Sequence, residues 1–477
     1  MANASQHHSG YSKHCGPPSS RPKRIAMVCD FFYPNTGGVE IHLYQLSTCL
    51  IKRGNKVILI THSYGNRKGV RYLTSGLKVY YLVYGQMYNQ AAMPTFGFST
   101  YLPIFRKILI RERIEIVHSH QAFSTMALEA LLFARTMGYK TCFTDHSLFG
   151  FADISSIHTN KIIRFTLSDV GHVICVSHTS KENTVIRANL DPLDVSVIPN
   201  AVDYISLTPD PSKRDPTKIT VIILSRLVYR KGVDLMVTVI PEICRQFPHV
   251  QFVIGGTGPM AINLERMIEK NCLQERITML GAVTHKNLRE VLISGHIFLN
   301  CSLTEAFCIA IVEAVSCGLL CVSTKVGGVK EVLPPELIKL AEPCTEDIVA
   351  KLSEAIEEVG DFDPWKAHNL VKEMYSWIDI AKRTEIVYDR LMNEEPYPLI
   401  ERLCRFHNCG EWAGKLFVVV AATVYIMCQI LEWWCPKKSI EACPDFNYRK
   451  WELQKKFKKN NDSGRDRNAD LLRVKQL

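Results

Sequence analysis

Between residues 24 and 207, short apolar runs alternate with segments of helical spacing. RIAMVCD (24–30) ends at turn residues, and VEIHLYQLSTCLIKRG (39–54) follows with apolar positions three and four apart and Gly54 as a stop. NKVILITH, KVYYLVY, IEIVHSH, KTCFTDH, HVICVS and VSVIPN continue the strand-like runs, with helical patterns between several of them. This is the pattern of a parallel, doubly wound α/β sheet. A polar, proline-bearing stretch at 208–218 then reads as a linker. The alternation restarts with TVIILSRL, a helix from about Gly232, HVQFVIGG, a helix over 260–271, RITMLGA, HIFLNCS, a helix over 305–317 and LLCVSTK. The expected domains are therefore 24–207 and 219–375, with a helix near 376–400 that could pack over either. Two open sheets in tandem place a crevice between them, lined by strand C-termini and helix N-termini.

The two ends differ from this body. Residues 1–23 are rich in Ser, Pro and Gly, hold no apolar stretch that could serve as a secretory signal, and read as a disordered leader before a cytosolic body. Leu416 to Leu431 is apolar apart from Gln429, and Trp412, Trp433 and Trp434 bracket it. Those aromatic flanks extend it to an interface-anchored membrane helix over 412–434, expected to cross once. The basic tail at 435–477 would then lie in the lumen, where Asn461-Asp462-Ser463 is a glycosylation acceptor pattern, although its charge by itself prefers the cytosol.

The net charge of +10 sits at these ends: residues 1–24 hold four Lys/Arg and no acid, and residues 435–477 hold twelve against six. The body is neutral, which argues against a nucleic-acid groove. At 477 residues with 47% hydrophobic positions, the chain has ample material for several cores. Its 17 cysteines lack a CxxC pair and lie mostly in apolar runs such as those of Cys29, Cys175 and Cys301, as small core residues in a reducing compartment do.

Several loops suit phosphate. Asn35-Thr36-Gly37-Gly38 follows the first strand and opens a helix, leaving backbone N–H groups for an anion; a tight packing turn would look the same. Ser225-Arg226-Leu227 ends a strand and Lys231-Gly232 begins the next helix, so Arg226 and Lys231 could converge on one diphosphate. Cations placed against a helix dipole make an anionic ligand more plausible than solvation. Glu305 and Glu313, eight positions apart, would lie near one edge of a single helix at an offset of about 80°. Their neighbours Ala310, Ile311 and Val312 do not make a solvated face.

Other signals are weaker. GTGPMA (256–261) resembles a dinucleotide fingerprint, but the following strand ends without the acid a ribose needs. His118-Ser119-His120 has no accompanying Cys, Asp or Glu cluster at ligand spacing, so no metal site is expected. Asp361-Phe362-Asp363 reads as a helix cap. In the segment 86–107, Phe96, Phe98, Tyr101 and Phe105 beside Arg106 and Lys107 suit a membrane headgroup boundary, or equally a core helix entry.

GGVE (37–40), SRLVYRKG (225–232), GGTGP (255–259) and the Glu305-to-Glu313 spacing together resemble retaining GT-B glycosyltransferases that use nucleotide sugars. More narrowly, FFYPNTGGVE, SRLVYRKGVDL, TEAFCIAIVEA and the late hydrophobic helix are similar to the phosphatidylinositol N-acetylglucosaminyltransferase catalytic-subunit family, over about residues 24–435. The resemblance implies a GT-B fold of two Rossmann-like domains with a C-terminal membrane helix. It implies transfer of GlcNAc from UDP-GlcNAc to phosphatidylinositol on the cytoplasmic face of the endoplasmic reticulum, with other membrane subunits as partners and no metal or other cofactor. Carried over, Gly37 and Gly38 approach the phosphates, Arg226 and Lys231 neutralise departing UDP, Glu305 meets the sugar and Glu313 the ribose. Glu40, Gly256, Gly258, Ala306 and Phe307 fall within the matching motifs as substrate-binding positions, and His120 or His146 hydrogen-bonds the donor sugar. The rival readings are another lipid acceptor such as a polyprenol, a nucleotide-sugar epimerase or dehydrogenase, and a noncatalytic scaffold. Intact Arg226, Lys231 and Glu305 disfavour the scaffold, and the hydrophobic helix disfavours a soluble epimerase.

Overall fold

A computed structural model describes residues 21–35, 37–88, 91–93, 100–148 and 154–445. Thr36, Phe96, Phe98 and Asn461 therefore lie outside the described residues. The first sheet has eight strands: Val195–Val197, His172–Cys175, Lys140–Asp145, Ile116–His120, Arg24–Val28, Lys56–His62, Lys78–Leu82 and Gly69–Tyr72, in spatial order. All pair in parallel except the last, an antiparallel edge strand whose residues are exposed throughout. With no buried apolar face, Gly69–Tyr72 gives no strand pattern to read.

The second sheet is wholly parallel, in the order Ile277–Gly281, Val250–Gly255, Ile219–Leu224, Ile297–Asn300, Leu320–Thr324 and Ile338–Ala341. Its central strands are continuous apolar runs because helices cover both faces. Buried residues of the first sheet's Gly38–Lys52 helix share one apolar cluster with those of the second domain's Ile309–Ser316 helix. Two doubly wound sheets facing a crevice make the GT-B architecture. Asp363 caps the Pro364–Met374 helix by accepting from the Trp365 and Lys366 amides at 2.9 and 3.1 Å.

The Trp377–Asn393 helix returns to the first domain. Its Tyr388 hydroxyl lies 2.7 Å from His118 Nδ1, Arg383 reaches the Val197 carbonyl at 2.7 Å, and Asp389 and Glu385 pair with Lys23 and Arg53. The chain is thereby stitched back onto the sheet from which it began.

Ala413–Trp434 is long and apolar enough to cross a membrane by length and composition. One stripe, Gly414, Phe417, Ala421, Val424 and Cys428, packs on the first domain, with Phe417 stacked on Phe165 at 4.2 Å. The opposite stripe, including Trp412, Leu416, Val419, Ile426 and Trp433, is exposed. The strip after the helix also returns to the first domain, where Asp445 pairs with Arg24, Lys56 and Arg113. Both flanks of the helix thus touch the first domain in this arrangement.

The segment read as a headgroup boundary resolves toward the core alternative. Tyr101 and Phe105 are buried on the Tyr101–Arg111 helix, and Arg106 pairs with Glu432. Only Lys107 of that group is exposed among the described residues.

Tyr388→Phe should lower stability by about 1–3 kcal/mol, because it leaves a buried His118 nitrogen without its partner. Urea unfolding of the purified chain measures this, and an unchanged midpoint would contradict the stitching role.

Candidate active site

The second domain supplies a cationic corner. The strand Ile219–Leu224 ends at Ser225 and Arg226, and a short 3-10 turn, Tyr229–Lys231, leads into the Val233–Gln246 helix. Lys231 Nζ forms an ion pair with Glu305 Oε1, to which the Ser302 hydroxyl also donates at 2.8 Å. Glu305 is therefore preoccupied with holding Lys231, while Arg226 stays exposed. Gly232, at φ +70°, permits this approach: a Cβ there would stand 1.8 Å from the Cys301 carbonyl.

Glu305 does not share a helix with Glu313. Cys308 adopts φ +67°, and the helix begins only at Ile309, so the expected angular offset on one helix does not apply. Glu313 is instead a buried helix residue whose carboxyl is pushed up to about 7 by desolvation. Phe307 is also buried and packs edge-on against Tyr375 at 5.6 Å. Ala306 is buried too, with its carbonyl accepting from Ser177 Oγ of the first domain at 2.7 Å.

Gly256 and Gly258 serve the close approach of two loops. A Cβ on Gly256 would stand 1.8 Å from the Ser225 carbonyl, and one on Gly258 2.2 Å from that of Leu227. Protein fills their side-chain space, leaving only backbone groups for a ligand.

Across the crevice, Gly37 is the N-cap of the Gly38–Lys52 helix, and a Cβ on Gly38 would meet Ile309 Cγ2 at 3.8 Å. Glu40 folds back over Gly37, where a Cβ would lie 2.5 Å from its Oε2. Burial raises the Glu40 carboxyl, and Arg226 from the facing domain pulls the other way. The Gly37 loop is thus covered by a carboxylate in this conformation.

Four histidines meet behind it. His120 Nδ1 lies 3.3 Å from His146 Nε2, and the His42 ring is 4.6 Å from that of His146 and 5.4 Å from Trp377. His118 is fixed by Tyr388 and by Thr144 Oγ1 at 2.7 Å each. Burial holds all four rings neutral: His118 and His146 fall to about 3, and His42 and His120 well below the usual value. His42, His120 and His146 offer nitrogens within 4.8 Å of one another, close enough to share one metal ion. That cluster escapes sequence spacing because His42 comes from a helix and the other two from the ends of separate strands. The described residues set no carboxylate beside these rings to orient them for a cation, whereas neutral imidazoles suit sugar hydroxyls.

Asp145, buried before His146, accepts from Arg187 at 2.5 Å, Thr184 at 3.0 Å and the Ser147 amide at 3.0 Å, which fixes the turn that aims His146. Gly327-Gly328 echoes the GGV of residues 37–39, a signal the sequence reading passed over. A Cβ on Gly327 would meet the Glu305 carbonyl at 2.1 Å and Leu148 Cδ1 at 2.7 Å. Glu331, three residues beyond, accepts from the His178 and Thr179 amides of the first domain at 2.6 and 2.9 Å.

Comparison with known proteins decides the family. A model described as PIGA (GPI anchor biosynthesis) matches residues 62–153, and one described as Glycosyl transferases group 1 matches 207–377. A phosphatidylinositol N-acetylglucosaminyltransferase subunit from Arabidopsis thaliana is 56% identical over 88% of this chain and 94% of its own. Its Homo sapiens namesake is 54% identical over 89% of this chain and 88% of its own. The chain belongs to the PIGA family of GPI-anchor biosynthesis. Among solved structures, sucrose-phosphate synthase from Thermosynechococcus elongatus aligns at TM-score 0.65 and 18% identity, over 78% of this chain and 99% of that one. Anabaena HepE in complex with UDP aligns at 0.61 and 16%, over 77% and 99%. These share the GT-B fold with this PIGA-family chain.

Glu313→Gln tests the buried carboxyl. A raised folded-state value means that stability falls as pH rises from the unfolded value, near 4.5, through about 7, and is constant above. The variant, which cannot ionise, should gain melting temperature relative to wild type across that window. Parallel melting curves at every pH would contradict the assignment.

Proposed function

We propose that this chain is the catalytic subunit that transfers GlcNAc from UDP-GlcNAc to phosphatidylinositol with retention, the first step of GPI-anchor biosynthesis. The observation that carries the site assignment is the Lys231–Glu305 pair beside exposed Arg226, whose charge reaches Glu40 of the first domain. In transfer, the bond between the anomeric carbon and the β-phosphate oxygen breaks while one forms to an inositol hydroxyl oxygen. Negative charge grows on UDP, and that oxygen takes the acceptor proton. Lys231, held by Glu305, and Arg226 stabilise the leaving diphosphate because they are already oriented when the charge appears. Glu305 acts first by positioning Lys231 and then at the sugar. His120 and His146, kept neutral by burial, donate to or accept from sugar hydroxyls without opposing the positive charge that develops at the anomeric carbon. Glu313 meets the ribose, and Gly37, Gly38, Gly256, Gly258 and Ala306 offer backbone groups. Glu40 swings from Gly37 as the diphosphate enters. No cofactor is required by this route.

The relatives are named as subunits of a transferase, so other membrane subunits accompany this chain. The body works on the cytoplasmic face of the endoplasmic reticulum, anchored by Ala413–Trp434 as a single span. Crossing releases the ion pairs at Asp445, about 0–1 kcal/mol each, together with the Arg106–Glu432 pair and the packing of Phe417, Ala421, Val424 and Cys428, whose apolar surface passes from protein into lipid. It immerses an apolar stripe of Leu, Val, Ile and Trp side chains, worth about 25 cal/mol per Å².

Arg226→Ala and Lys231→Ala should each cut turnover about 10²–10³-fold with little change in melting temperature; near-normal turnover in either would sink the diphosphate role. In sealed microsomes, added protease should digest the body and spare a tag placed after Leu477. A tag lost as fast as the body would instead place both ends of the helix on one side.

A further inference from the structure

From Ile41 to Arg111 the chain has ten Lys/Arg and not one Asp or Glu. A neutral total hides this asymmetry along the chain. Several of these cations are answered from elsewhere in the fold: Arg53 by Glu385, Lys56 and Lys78 by Glu112, and Arg106 by Glu432. Arg67 is different. Among the described residues no carboxylate pairs with it, yet it is half-buried, with its guanidinium carbon 5.7 Å from the centre of the Tyr81 ring.

Its position is rigid. The Tyr64 and Arg67 backbones exchange hydrogen bonds of 3.1 and 2.8 Å around Gly65-Asn66, a closed turn at the C-terminal end of the Lys56–His62 strand. Tyr64 accepts from the Phe32 amide at 2.9 Å and donates to the Asp30 carbonyl, while Tyr81 donates to the Tyr33 carbonyl at 3.0 Å. Two tyrosines thus fasten the turn to the segment that runs into Gly37-Gly38, and Arg67 lies against one of them. The cation stands at the C-terminal end of a first-domain strand, on a different domain from Arg226 and Lys231. Tyr33 and Tyr44, with rings 5.6 Å apart and edge to face, flank the same loop.

A guanidinium beside Tyr81 with no carboxylate partner among the described residues fits a phosphodiester, which its planar fork can hold through two oxygens. The geometry points to Arg67 as the residue that binds the headgroup phosphate of the anionic glycerophospholipid acceptor. This rests on the acceptor assignment above and adds the residue that selects for its charge. Holding the phosphate at Arg67 presents the attached polyol ring toward the crevice, with the tyrosine pair beside it.

The test uses the assembled complex and phosphatidylinositol in phosphatidylcholine vesicles. Arg67→Ala should raise KM for phosphatidylinositol ~10- to 100-fold while leaving UDP-GlcNAc affinity unchanged. Arg67→Lys should restore part of the loss, and Lys52→Ala, the same charge change on an exposed helix end, should leave KM unaltered. Arg67→Gln keeps much of the packing on Tyr81 and should behave like the alanine variant; recovery by glutamine, or equal loss of UDP-GlcNAc affinity and melting temperature, would show that Arg67 only packs the turn. Wild-type turnover separates the two readings. If wild type ignores phosphatidylinositol, the acceptor assignment falls and this one with it; if wild type turns over and Arg67→Ala keeps its KM, this one falls alone.

Discussion

The backbone of Cys301–Phe307 has room for its path only because three glycines face it. Gly232, Gly327 and Gly328 each approach a carbonyl of this loop so closely that a Cβ would stand 1.8, 2.1 and 2.1 Å from it. Everything on the donor side follows from that packing. It places Glu305 where Lys231 must meet it, directs the Gly328 amide to the Glu305 carbonyl at 3.0 Å, and turns the Ala306 carbonyl to Ser177. The same loop therefore sets the cationic corner and ties the two domains together.

The two walls of the crevice have complementary electrostatics. The second domain offers permanent cations, one held by a carboxylate and one exposed. The first domain offers imidazoles that burial keeps neutral, so they contact hydroxyls without adding charge. Glu331, reaching over to cap the His178–Ala188 helix, and Leu148, reaching back toward Gly327, fix the spacing of these walls. In the proposed reading, a diphosphate between them meets charge on one side and hydrogen-bonding groups on the other.

Much of this was legible in the sequence. Alternating apolar runs predicted both parallel sheets, because strands covered on two faces leave continuous hydrophobic signatures. The positions of Arg226 after a strand and of Lys231 before a helix were legible too. The rest depended on tertiary contacts. Nothing local says that Cys308 takes a left-handed conformation and starts the helix at Ile309, so Glu305 was misplaced onto it. His42 lies on the Gly38–Lys52 helix, whereas His120 ends one strand and His146 follows another, and no spacing rule could join them. Phe307 looked like part of a site motif yet serves the core, since an apolar residue beside site residues carries no mark of which way it points. The apolar helix at Ala413–Trp434 was read correctly as an element, whereas its partners on the first domain came only from packing.

The central claim is the identity of donor and acceptor. It is tested most directly by incubating the purified complex with labelled UDP-GlcNAc and vesicles that hold phosphatidylinositol or a polyprenyl phosphate. The account predicts label in an α-linked GlcNAc–phosphatidylinositol and none in the polyprenyl lipid. Label transferred to the polyprenyl lipid in preference, or a β-linked product, would contradict it.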